Sequence, residues 1–179
     1  INDHYQTFVS TNKAGKCPFC GIGDIKGAHH TKREAYDHYL PKALYPFNSI
    51  NFRNLAPACH ECNSSYKLSK DPAHDRDGRR KAFNPYAATA HTVQIQIALR
   101  HAEFEKLMPA DITLEFGPAA LREELDTWKD VYGIEERYKA KLCSENDGKY
   151  WLTQVLEECQ AYGKSPVEIL TMLTQQAQS

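Results

Sequence analysis

The sequence predicts an α+β fold: a small zinc-stabilised core followed by a C-terminal extension of strands and helices. Three observations predict it. Two Cys-x-x-Cys pairs, CPFC at 17–20 and CHEC at 59–62, are separated by 38 residues. Two stretches, TVQIQIAL at 92–99 and ITLEF at 112–116, alternate apolar and polar residues, the period of a half-buried strand. From about residue 118 the apolar spacing becomes helical. The division is expected near residue 82, with a core over 1–82 and an extension over 83–179.

Composition bounds the function. The chain has 179 residues, 22 Lys+Arg against 23 Asp+Glu, and is 41% apolar and 25% charged. This is ordinary for a globular protein and excludes disordered, collagenous and disulfide-rich classes. No apolar run approaches the ~18 residues of a membrane span, so no membrane partner is expected. No signal peptide pattern is visible, although the chain opens on Ile1 rather than Met. Charge is uneven. Residues 1–82 hold 13 Lys/Arg and 8 Asp/Glu, with six of the eight His, whereas 83–179 hold 9 and 15. A basic, His-rich half points to an anionic partner such as nucleic acid.

Taken in order, residues 1–16 are polar and carry no readable pattern. Each cysteine pair offers two thiolates across a tight turn, and Cys17, Cys20, Cys59 and Cys62 together complete a tetrahedral zinc site. Gly21 suits the tight backbone of such a knuckle. The alternatives are disulfides or unrelated thiols. Nothing points to secretion, and a redox Cys-x-x-Cys has no need of a second one. Cys143 and Cys159 lie in helical sequence and read as buried apolar side chains. The segment 71–82 is polar and reads as an exposed connection. Val93, Ile95, Ile97 and Leu99 share one strand face, and Ile112, Leu114 and Phe116 share another. Leu121, Leu125, Trp128 and Val131 share a helical face, with Gly133 placed to bend or end the helix. A second helix is expected over about 148–161. A third starts at Ser165, with Pro166 at its first position and Glu168 placed for a capping box. There is no internal repeat, Walker loop or dinucleotide-binding glycine pattern.

The chemistry lies between the cysteine pairs. YDHYLPK occupies 36–42 and NLAPACHECN occupies 54–63. This segment resembles the HNH endonucleases, in the variant whose third position is Asn. The resemblance rests on Asp37-His38, on Asn54 sixteen residues after His38, on Asn63 nine residues further, and on the two zinc pairs that bracket them. It implies a ββα-metal site in which Asp37 and Asn63 hold a catalytic Mg²⁺ or Mn²⁺. It makes His38 the general base that activates water, and Asn54 a support that pins the loop between the strands. The residue types suit that work. A hard cation wants oxygen ligands and open positions, and imidazole is the side chain that ordinarily titrates near neutral pH. Neighbouring strand residues point to opposite faces, so β-structure must twist or end at Asp37-His38 if both serve one site. His29, His30 and His60 read as solvated. The rival to the enzyme is a non-catalytic zinc module that binds nucleic acid or protein, which has no need to combine Asp37, His38 and Asn63.

Phosphate contacts require nearby cations. Lys67 lies four residues after Asn63, on the same face of an expected helix. Lys70, Lys42, Arg53 and the run Arg79–Lys81 complete the set, and such contacts position a backbone without reading sequence. DNA is the expected partner, with RNA left open. The acidic extension suits a protein partner better than nucleic acid. The overall pattern also resembles the nucleases paired with an ATPase in Septu-type bacterial phage defence, which implies a cytoplasmic bacterial protein and an ATPase partner on the extension.

Overall fold

A computed structural model describes residues 2–89, 91–101, 103–165 and 168. The chain is α+β, with short antiparallel pairing and helices in separate stretches. It divides into two compact units: one from Ile1–Ile95 and Phe116–Glu135, the other from Gln96–Glu115 and Glu136–Ser179.

The first unit opens with helix α1, Asn2–Thr11, where the sequence showed no pattern. Two aromatic side chains, Tyr5 and His4, hold it. Tyr5 is buried, donates to the Lys26 carbonyl at 2.8 Å and accepts from the Glu34 amide at 3.1 Å. His4 stacks on Phe52 with centroids 4.9 Å apart and hydrogen-bonds the Tyr36 hydroxyl at 3.0 Å. Strands β1 (Tyr36–His38) and β2 (Leu55–Pro57) then pair antiparallel, with Asp37 opposite Ala56 and His38 opposite Leu55. A short π-helical segment, Cys62–Tyr66, follows β2. The 71–82 connection is exposed over 74–79 but buries Pro72, and it is structured, because β3 (His74–Asp75) and β4 (Gly78–Arg79) form a small hairpin. Arg80 anchors it, donating to the Asp71 carbonyl and to Asp130 at 2.8 Å.

Helix α2, Arg122–Tyr132, belongs to this unit and covers the cysteine region. Leu125 and Val131 are buried on the face that the helical spacing marks. Phe19, which sits between the first two cysteines, stacks on Tyr132 at 5.3 Å and accepts a hydrogen bond at its carbonyl from the Trp128 indole. Gly133 ends α2 in the left-handed region at φ 59, and a Cβ there would lie 2.3 Å from the Tyr66 ring. Conformation and close approach both require glycine at this position.

In the second unit, Ile112 and Leu114 are buried from one face of β6 (Ile112–Gly117), as alternation predicts. Its partner β5 (Gln94–Leu99) is more open, and Ile97 is exposed. Helix α3, Ile134–Leu142, starts directly after Gly133. Helix α4, Gly148–Tyr162, buries Val155 and Cys159, while Cys143 is only half-buried. The capping box is made: Ser165 accepts from the Glu168 amide at 3.3 Å and its own amide donates to the Glu168 carboxylate at 2.7 Å. Pro166 and the rest of the expected third helix lie outside the described residues. Among the described residues, no helix is long and apolar enough to cross a membrane.

Candidate metal centre and active site

The four cysteines converge. The Sγ atoms of Cys17, Cys20, Cys59 and Cys62 all lie within 4.8 Å of one another, and Cys20 and Cys59 are 3.8 Å apart. Four thiolates at a Zn–S length of about 2.3 Å occupy a tetrahedron with edges of ~3.8 Å, so the set fits a structural zinc ion. The first pair is held by a tight reversal in which the Cys17 amide donates to the Gly23 carbonyl at 2.7 Å. The amides of Ile22 and Gly23 each donate to Cys20 Sγ at 3.4 Å, and that of Cys59 donates to Cys17 Sγ at 3.4 Å. Gly21 takes φ 68. Gly23 was not singled out by spacing, yet a Cβ there would meet Cys59 Cβ and Sγ at 2.8 Å. The thiols act on one another: hydrogen bonds from the Cys17, Cys59 and Cys62 side chains hold Cys20 well below the usual thiol range.

Beside this cluster stands the Asp37-His38 pair. Asp37 is 3% exposed. Burial pushes its carboxyl up, and Lys67 opposes that shift. Its Oδ1 accepts from Lys67 Nζ at 3.1 Å, and its Oδ2 is buried with no hydrogen-bond partner. That orphaned oxygen is a hard donor of the type that Mg²⁺ and Mn²⁺ take. His38 is half-buried, and its Nε2 lies 3.1 Å from the Ser49 carbonyl. A carbonyl only accepts, so Nε2 carries the hydrogen and the lone pair of the neutral ring resides on Nδ1.

Asn54 is buried on the last turn before β2. Its Oδ1 accepts from the Leu40 amide at 2.7 Å, and its Nδ2 donates to the carbonyls of Leu40 at 3.1 Å and Asn48 at 3.2 Å. Its backbone carbonyl accepts from Tyr39 at 2.8 Å. One side chain therefore closes the loop that carries Ser49 over His38.

Asn63 is half-buried at the second residue of the π-helical segment. Its amide donates to the Cys59 carbonyl, while the Lys67 amide donates to Cys62, five residues back. That wider turn breaks the four-residue register that sets Lys67 on the same helical face as Asn63. Lys67 is instead 1% exposed, with its ammonium on Asp37 and on the His38 carbonyl at 2.6 Å. A buried ammonium held this way does not face a phosphate. Lys70 is exposed and donates to the Asp130 carbonyl at 2.6 Å. Lys42 and Arg53 are exposed, at the two ends of the loop between β1 and β2. His29, His30 and His60 are also exposed.

No family model matches the chain. Two curated proteins are similar to part of it. Protein ea31 of Escherichia phage lambda is 39% identical over 86 residues, 46% of this chain and 24% of that protein. Septu protein PtuB of Bacillus thuringiensis is 33% identical over 60 residues, 32% of this chain and 22% of that protein. The matched parts thus span about a quarter of each relative. No solved structure matches.

Proposed function

We propose that this chain is a metal-dependent endonuclease of the HNH type that hydrolyses phosphodiester bonds in DNA. The observation that carries the reading is the Asp37-His38 pair. A buried carboxylate with one unpartnered oxygen adjoins an imidazole whose Nε2 is engaged and whose Nδ1 is left to take a proton. Asp37 and Asn63 would hold the divalent ion, which when bound relieves charge on the phosphate and on the leaving oxygen. His38 accepts the proton of the attacking water at Nδ1. The Ser49 carbonyl fixes the ring, and Asn54 fixes the segment that bears Ser49. The products are a 5′-phosphate and a 3′-hydroxyl. Lys42 and Arg53 are the exposed cations that receive the flanking phosphates. Similarity to a Septu protein supports a role in bacterial anti-phage defence; the acidic extension is where a protein partner would dock.

A specific observation favours the rival reading, a zinc module without catalysis: Lys67 already neutralises Asp37. The two readings separate in one assay. Zinc-replete protein is incubated with supercoiled plasmid in Mg²⁺ or Mn²⁺, beside Asp37→Asn. The nuclease reading expects nicked or linear DNA from the wild type and a rate lower by about 100-fold or more in the variant. Background rates from both proteins, unchanged when the assay is repeated with the protein that co-purifies, would support the zinc module.

A further inference from the structure

Asp37 forms a buried ion pair with Lys67, a residue that the proposed reaction leaves without a task. Their side chains are 4% and 1% exposed, and their charges are 3.1 Å apart. Such pairs seldom stabilise a protein, because desolvating two ions consumes the Coulomb gain unless the remaining lone pairs are satisfied. Here they are not, since Asp37 Oδ2 has no partner. The same ammonium donates to the His38 carbonyl at 2.6 Å, so one monovalent cation already bridges both residues of the pair. The wider turn at Cys62–Tyr66 delivers it there, and π-helical turns of this kind recur at functional sites.

We propose that Lys67 is a resident counter-cation that competes with the divalent ion for Asp37. It keeps the site folded without that ion and sets how tightly the ion binds. This inference rests on the metal-dependent reading above. Two cations drawn to one carboxylate repel each other, and a buried site screens that repulsion less than water does. Lys67 therefore weakens metal affinity at the same time as it neutralises Asp37. Lys67→Met keeps most of the side-chain bulk and removes the charge. Asp37 then lacks a partner until a divalent ion supplies one.

The test is Mn²⁺ titration of the full chain holding stoichiometric zinc, read by the electron paramagnetic resonance signal of free Mn²⁺ and by thermal melting. The proteins compared are wild type, Lys67→Met and the double variant Asp37→Asn/Lys67→Met, which removes both charges. Lys67→Met is expected to bind Mn²⁺ at least about 10-fold more tightly than wild type, ~1.4 kcal/mol. It is also expected to gain more melting temperature from Mn²⁺, and the double variant is expected to bind none. Should Lys67→Met fold only when Mn²⁺ is present, the proposal is equally supported. Equal or weaker binding by Lys67→Met overturns it. So does a Lys67→Met protein that stays unfolded in Mn²⁺ while the double variant folds, because the metal has then not taken over the carboxylate. Binding retained by the double variant overturns it too, since the ion is then held elsewhere. If wild type and Lys67→Met both bind no Mn²⁺, the metal-dependent reading falls and takes this inference with it.

Discussion

Cys62→Ser is expected to lose its zinc and unfold the unit built from Ile1–Ile95 and Phe116–Glu135. Structural zinc contributes on the order of 10–16 kcal/mol in small metal sites, against a total stability of ~5–15 kcal/mol for a domain. Losing one of four ligands therefore removes a term as large as the whole margin. The packing of Phe19 on Tyr132 is itself built on the cysteine loop, so it is lost with the metal. Strands β1 and β2 are three residues each, and buried side chains around them include the cysteines themselves. Cys62 also opens the segment that carries Asn63 and Lys67, so the candidate site cannot outlive the zinc site. Zinc content and far-ultraviolet circular dichroism of the purified variant check this. A folded, zinc-free Cys62→Ser protein would contradict it.

Asn54→Ala is expected to cost about 3 kcal/mol or more and to slow cleavage about 100-fold. The side chain makes three hydrogen bonds to backbone groups, at Leu40 N, Leu40 O and Asn48 O. Each buried group left without a partner costs about 1–3 kcal/mol. The second effect follows from where those groups lie. The loop they close presents the Ser49 carbonyl that holds His38 Nε2, and a misplacement near 1 Å is enough for a loss of about 10² in rate. Urea midpoints with unchanged slope measure the first effect, and plasmid cleavage by the fraction that remains folded measures the second. A variant with wild-type rate and midpoint would show that the loop is held by other means.

What was legible in the sequence was what depends on spacing. Two Cys-x-x-Cys pairs mark a metal cluster because chelation needs two donors across one turn. The faces of β6 and α2 were legible because alternation and helical period report burial directly. The rest depended on single side chains or on backbone geometry that no period records. Helix α1 is polar and is fixed by Tyr5 and His4. Helix α3 buries Arg137 alongside Ile134, so an apolar pattern does not mark it. Gly23 is required by the approach of Cys59, a residue 36 positions away. The four-residue rule for α-helices sets Lys67 on the same face as Asn63, whereas the π-helical turn sends it inward to Asp37. The β3–β4 hairpin turns through Arg76 and Asp77, in a polar stretch whose composition reads only as an exposed connection.

If His38 takes a proton from water during metal-dependent hydrolysis of DNA, removing its imidazole must cost rate and not fold. The most direct measurement compares zinc-replete wild type with His38→Ala of verified fold on the same supercoiled plasmid in Mn²⁺. The account predicts nicked or linear DNA from the wild type and a rate lower by about 10²–10⁴ in the variant, the usual worth of a general base. Equal cleavage by the two proteins would contradict it.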